Sequence, residues 1–168
     1  EDFSSLEYLN CDNNLISSLD ISNNFSLISL ECVGNQISNI NVNNCTQLSL
    51  LRCGENPITS LDLSTNSNLN QLYCYSTQIQ SLDVGNCSSL SDLYCHDNPQ
   101  LSSLNLRNGN NTNMFLRADL NPSLSKDVNF TCFEHLVKLS KKNGIKKFIY
   151  ASTSSVYGVS DSPNVDEN

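Results

Sequence analysis

A run of Leu-x-x-Leu-x-Cys returns five times at one interval: Leu6/Leu9/Cys11, Leu27/Leu30/Cys32, Leu48/Leu51/Cys53, Leu69/Leu72/Cys74 and Leu90/Leu93/Cys95. Each step is 21 residues, without slippage. A unit this short cannot enclose a core alone. It must bury its apolar face against the next copy, and the repetition makes a solenoid. Three positions after each cysteine stands Asn14, Asn35, Asn56, Thr77 or Asn98, and two further on lies Ile16, Ile37, Ile58 or Ile79.

Each unit divides again. Leu9-x-Cys11-x-x-Asn14 is echoed ten residues on by Leu19-x-Ile21-x-x-Asn24, and the echo returns in Ile40-x-Val42-x-x-Cys45, Leu61-x-Leu63-x-x-Asn66 and Leu82-x-Val84-x-x-Cys87. Period-two alternation followed by a polar turn reads as a short strand with one buried face. The expectation is two short parallel strands per coil and little or no helix in the solenoid. Gly34, Gly54, Pro57 and Pro99 fall at turns, outside the apolar triplets.

Where the chain bends inward, backbone groups lose strand partners and cannot reach water. A buried Asn amide supplies donors and an acceptor to them. Asn14, Asn35, Asn56 and Asn98 are therefore expected to form one ladder, and Asn24 and Asn66 a second in which Cys45 and Cys87 share. Asn24-Phe25-Ser26 is a weak glycosylation sequon on this reading, because Asn24 should point inward. The five periodic cysteines should stack in a column at about 4.8 Å per coil. Parallel side chains inside a coil are poorly aimed for disulfides, and buried thiols behave as small apolar groups. Occasional disulfides remain the lesser alternative, and metal a smaller one.

The pattern Leu-x-x-Leu-x-Cys-x-x-Asn-x-Ile resembles the leucine-rich repeat, with cysteine in a usual aliphatic slot; the resemblance covers residues 3–124. It implies a mainly β solenoid of about six coils. Similar cysteine-containing repeats of this length occur in secreted and surface-attached bacterial proteins, so the resemblance also implies an extracellular or cell-surface location. The pattern frays after Cys95, where Asn98-Pro99-Gln100-Leu101 inserts a residue and Asn108-Gly109-Asn110-Asn111 lengthens a turn. A sixth coil is recoverable at Leu116, Ala118, Asn121, Pro122 and Leu124.

Charge separates the chain into two segments. Residues 1–125 carry three arginines and no lysine against twelve acidic side chains, a net −9, whereas residues 126–168 carry six lysines against five acids, a net +1. The expected division is a solenoid over 1–125 and an α/β segment over 126–168. In the second, Cys132-Phe133 and Leu136-Val137-x-Leu139 recur at helical spacing, Asn143-Gly144 stops a helix, Ile145–Ala151 reads as a strand and Ser152–Gly158 as a polar turn.

Residues 130–168, through Phe148-Ile149-Tyr150-Ala151-Ser152-Thr153-Ser154-Ser155-Val156-Tyr157-Gly158, resemble a piece of an extended short-chain dehydrogenase/reductase, the NAD-dependent sugar epimerase and dehydratase family. The resemblance places Thr153 at the family's catalytic Ser/Thr position. The family's Tyr-x-x-x-Lys pair would fall beyond Asn168, and Tyr157 is not its tyrosine, since Asp161 and not lysine stands four residues on. The glycine-rich turn that seats a pyrophosphate is missing too. The expectation is no enzyme, no cofactor, and two unrelated segments joined near Ser125–Asn129, the tail serving otherwise as a C-terminal cap.

Other classes fall to simple tests. No run of 18 apolar residues spans a membrane, and no basic-then-apolar leader is visible. An acidic solenoid does not suit a nucleic-acid backbone. The chain opens at Glu1-Asp2-Phe3 inside a repeat, which suggests part of something longer. Along the outward positions of the first strand row, Tyr73, Tyr75, Tyr94 and His96 converge on adjacent coils with Arg52 one coil away. Aromatics and arginine are enriched at binding hot spots, though tyrosine also covers sheets without binding anything. A second row, Asp20, Asn41, Asp62, Asp83 and Asn105, offers hard oxygens to calcium or, more simply, acceptors to local backbone. The leading function is non-catalytic recognition of a protein or glycan by the exposed sheet face; the rivals are an inactive epimerase/dehydratase remnant and a spacer that binds nothing.

Overall fold

The computed structural model describes residues 4–109 and 114–118 and, as backbone, the strands 147–152 and 155–158. The first-row triplets form β1 (Tyr8–Asn10), β2 (Ser29–Glu31), β3 (Leu50–Arg52), β4 (Gln71–Tyr73), β6 (Asp92–Tyr94) and β8 (Phe115–Arg117). All pair in parallel, and the register advances by one repeat each time: Leu9, Leu30, Leu51, Leu72, Leu93 and Leu116 stand in one line. Six strands bound about five turns of a leucine-rich-repeat solenoid, mainly β, with no helix among the described residues.

The core is the periodic set itself. Leu27, Leu30, Cys32, Ile37, Leu48, Leu51, Cys53, Ile58, Leu69, Leu72, Cys74, Leu90, Leu93 and Cys95 have no exposed surface. Each completely buried leucine contributes about 1.5–3 kcal/mol relative to leaving it in water, and the stacking gives every inner coil two neighbours. The first coil has one, so Leu6, Leu9, Cys11, Ile16 and Leu19 are only partly covered. The seven cysteines of the described residues are free thiols. Burial pushes the Cys32 thiol up to about 12 and the Cys87 thiol up to about 11, and raises Cys53, Cys74 and Cys45 as well. They are packing atoms, unsuited to nucleophilic work.

The second row departs from expectation. Only β5 (Ser81–Asp83) and β7 (Ser103–Asn105) form strands there, paired in parallel; 19–21, 40–42 and 61–63 do not. At this corner side chains do the bridging instead. Asn44 Nδ2 donates to Ser22 O at 2.9 Å, Thr65 Oγ1 to Asn43 O at 2.8 Å and Asn68 Nδ2 to Thr46 O at 3.0 Å.

Beyond β8 the first-row sheet gains β9 (Lys147–Ser152), parallel to β8, and β10 (Ser155–Gly158), antiparallel to β9. The stretch read as a polar turn, 152–158, therefore holds a strand: Ser155-Val156-Tyr157 carries the β-branched and aromatic residues that favour pairing, and the register sets Ser155 opposite Ser152. The expected helix around 130–142 and the sixth-coil positions Asn121, Pro122 and Leu124 lie outside the described residues, as does Thr153.

Candidate functional site

Inside the first corner the asparagine amides bond backbone groups. Asn56 Nδ2 donates to Cys32 O, Cys53 O and Gly54 O at 2.9, 3.2 and 3.0 Å, while its Oδ1 accepts from Ile37 N at 3.0 Å. Asn35 repeats this with Cys11 O, Cys32 O, Val33 O and Ile16 N. Asn98 donates to Cys74 O and Cys95 O and accepts from Thr77 N. Asn14, in the first coil, bonds only its own coil through Cys11 O and Asp12 O. At the second corner Asn66 Nδ2 reaches Val42 O and Cys45 O, Asn24 is half-buried, and the Cys45 and Cys87 thiols reach Ile21 O and Leu63 O at 3.9 Å. These residues hold the scaffold.

The backbone residue just before each ladder position is left-handed: Asn13, Gly34, Glu55, Ser76 and Asp97 all have φ between 52° and 68°. The turn makes each strand line continue past its end. Gly34 N donates to Gly54 O, Glu55 N to Tyr75 O and Ser76 N to His96 O. Outward side chains are thus held in three straight columns across the coils.

Two of those columns carry the five residues singled out from the sequence, and the structure brings them together. Tyr73 and Tyr94 stack with centroids 4.6 Å apart and planes 13° apart; Tyr75 and His96 stack at 5.0 Å and 14°. Tyr94 meets His96 edge-on at 6.3 Å and Phe115 at 5.3 Å. The Arg52 guanidinium lies 5.7 Å from the Tyr73 centroid. The result is a pile running Arg52, Tyr73, Tyr94, Phe115 over four coils, with Tyr75 and His96 beside it. Aromatic pairs in such geometry add about 0.5–1.5 kcal/mol each beyond burial. His96 is nearly enclosed, and its Nε2 lies 3.8 Å from Asp97 Oδ2.

Electrostatics keep the pile neutral at its centre. Burial raises the Tyr73 phenol, with Tyr94 and Asp92 adding to the effect against Arg52; burial and then Glu55 raise Tyr75. Arg52 donates to Glu31 Oε2 at 2.6 Å; burial works against its charge, but the bond and charge of Glu31 outweigh it and its pKa rises. Three contributors were missed from the sequence. Glu31 occupies the arginine. Phe115 extends the pile. Gly54 gives Tyr75 room, since a Cβ there would stand 2.9 Å from Tyr75 O and 3.0 Å from its ring. A small residue one repeat before an aromatic in the same column was the legible signal.

The Asp/Asn row turns inward on itself. Oδ1 of Asp20, Asn41, Asp62, Asp83 and Asn105 each accepts from the backbone N–H two residues on, at 2.7–3.2 Å. Among the described residues no group of three His, Cys, Asp or Glu side chains is placed to hold a metal ion.

The fold so described has counterparts. The functional domain of InlJ from Listeria monocytogenes, which includes a cysteine ladder, is 32% identical with a TM-score of 0.63, over 69% of this chain and 25% of that one. The internalin inlF of Listeria monocytogenes is 23% identical (TM-score 0.55; 70% and 42% covered), and a leucine-rich-repeat protein of Leptospira interrogans is 18% identical (TM-score 0.59; 80% and 42%). The chain thus spans between a quarter and two fifths of the length of these neighbours. A family model described as the NAD dependent epimerase/dehydratase family matches residues 116–168, beginning within β8. No curated protein matches the chain. The chain is therefore a leucine-rich-repeat solenoid whose C-terminal segment is similar to part of an epimerase/dehydratase.

Proposed function

We propose that the solenoid is a protein-recognition module, its docking face centred on Arg52, Tyr73, Tyr75, Tyr94 and His96, and that it works outside the cell or at its surface. The aromatic pile carries this reading. A spacer needs outward side chains only to be soluble, whereas here large rings from three coils are gathered into one place. Tyrosine and arginine clusters of this kind dominate interface energies. Among solved structures, the internalin and InlJ likenesses support a surface role by analogy. No helix of the described residues is long and apolar enough to cross a membrane.

The test is a triple replacement, Tyr73→Ser, Tyr75→Ser and Tyr94→Ser, with circular dichroism and urea unfolding to verify the fold. Loss of partner capture with an intact solenoid is expected. Unchanged capture would mean a different face, and no capture by the unaltered chain a spacer.

The epimerase/dehydratase match favours a second reading, a remnant of a nucleotide-sugar enzyme. We infer that it supplies no hydride chemistry in this chain. Neither a Tyr-x-x-x-Lys pair nor a glycine-rich phosphate turn is present in the sequence. The same proposal divides the chain at about residue 125 and leaves 126–168 as the solenoid's C-terminal cover. Saturable binding in an NAD titration of the whole chain would overturn it.

A further inference from the structure

The recognition face combines two properties that together narrow its partner. The first is that both faces of Tyr73 and of Tyr94, and one face of Tyr75, are already used. Tyr73 lies between Arg52 and Tyr94, Tyr94 between Tyr73 and Phe115, and Tyr75 against His96. A sugar ring docks on an open aromatic face, and stacked rings at 4.6–5.0 Å admit nothing between them. What the pile offers outward is ring edges and phenol hydroxyls.

The second property is a border of carboxylates on both flanks. Asp92 shares β6 with Tyr94 and projects on the same side, two residues earlier; its Oδ2 is bonded by Ser91 Oγ. Across the pile, Glu55 and Asp97 occupy the left-handed turn positions beside Tyr75 and His96, and both are exposed. Among the described residues, Arg52 is ion-paired to Glu31, and neither Glu55 nor Asp92 has a basic partner within ion-pair distance. The solenoid's own net charge of −9 over 1–125 adds a long-range field of the same sign.

Resting on the recognition reading above, we propose that this face takes a lysine- or arginine-bearing segment of a protein, the cationic heads meeting Glu55, Asp92 and Asp97 and the aliphatic stems lying along the edges of Tyr73, Tyr75 and Tyr94. Long basic side chains suit such a site because the stem is apolar and the head is charged. Opposed charge across a rim acts mainly on encounter rate and on the choice of partner.

The experiment uses the whole chain and short labelled peptides read by fluorescence anisotropy. Alternating lysine–serine is the cationic probe, glutamate–serine its reverse, and tyrosine–serine a neutral aromatic probe. The lysine peptide is expected to bind, to weaken with added salt, and to weaken roughly tenfold on the isosteric variant Glu55→Gln/Asp92→Asn/Asp97→Asn. Removing the same charge elsewhere, by Asp20→Asn/Asp62→Asn/Asp83→Asn, should leave it unchanged. An equal loss from this second variant would reduce the effect to bulk charge and overturn the proposal, as would glutamate peptide binding as well as lysine. If only the tyrosine peptide binds, and loses binding on the Tyr73/Tyr75/Tyr94 variant, the face stands and the cationic partner falls. If neither binds, both fall.

Discussion

The two corners of each coil are built from the same apolar triplet and diverge in what closes them. At the first, Asn35 and Asn56 each make three donor bonds and accept one, six strands pair without a gap, and the left-handed turn carries the ladder further. At the second, thiols alternate with amides, the sulfur bonds are 3.9 Å long, and three of the expected strands are absent. Strand pairing and amide bonding are concentrated on the side that displays the aromatic pile. A recognition surface needs its side chains in fixed columns; the opposite corner only has to turn the chain.

Alkaline pH should expose that contrast most strongly, because it acts on every buried thiol together. An ordinary thiol titrates near 9, whereas burial lifts Cys32 to about 12 and Cys87 to about 11 and raises Cys53 and Cys74 as well. Below the ordinary value both folded and unfolded chains hold the proton, and stability is complete. Above it the unfolded chain loses protons that the folded chain keeps, so stability falls as pH rises, until the folded groups titrate too. Each thiol contributes up to about 1.4 kcal/mol per pH unit. Urea midpoints taken from pH 8 to 11 should drop steeply. Cys32→Ala at the first corner and Cys87→Ala at the second should each flatten that slope, since burial raises both thiols. A slope left unchanged by either replacement would mean that its thiol does not carry the effect.

Next in size is the ladder. Asn56→Ala leaves three carbonyls and one N–H without their amide in a buried place. Each such loss costs about 1–3 kcal/mol, less where a second partner remains. Cys45→Ala removes one weak sulfur bond and a small apolar volume, about 1 kcal/mol. Urea unfolding of both variants measures the ratio, and a Cys45 variant as damaged as the Asn56 variant would refute the asymmetry.

Gly54→Ala probes the display side alone. The added methyl meets Tyr75 backbone and ring at 2.9–3.0 Å, and relief by shifting costs about 1–3 kcal/mol. The shift moves Tyr75 off His96, so the variant should stay folded while near-ultraviolet dichroism of the tyrosines changes. An unaltered spectrum would show that the glycine does not set the pile.

These positions also show what was readable beforehand. The 21-residue interval is enough for β1–β4, β6 and the buried leucines, since parallel register and burial follow directly from periodicity. The asparagine bonds followed from needing a partner for backbone at a bend. The second-row strands were over-read, because Leu61-x-Leu63 and Leu82-x-Val84 look alike, yet only the latter pairs. Pairing there depends on coil-to-coil spacing, which no single triplet encodes. Arg52 and the four aromatic positions were placed on one face, but that Glu31 holds the arginine and that rings cover one another depends on rotamers. The left-handed row is nearly invisible: Gly34 announces it, and Glu55, Ser76 and Asp97 do not.

That row offers the smallest and most specific contrast. Ser76 stands at φ 52° with its N–H bonded to His96 O, between Tyr75 and the ladder residue Thr77. A residue with a Cβ is strained there, whereas glycine is not; against this, glycine leaves the unfolded chain with more freedom to lose. Ser76→Gly should therefore stabilise by no more than about 1 kcal/mol, with the N–H bond kept and the aromatic pile undisturbed. The reverse change, Gly34→Ser, should lose more than the first gains, because its Cβ also meets Asn13 Oδ1 at 2.8 Å. Paired thermal melts decide it: opposite signs mean that the left-handed turn is imposed by the stacking of coils, and equal signs would mean that the turn is a local choice of each residue.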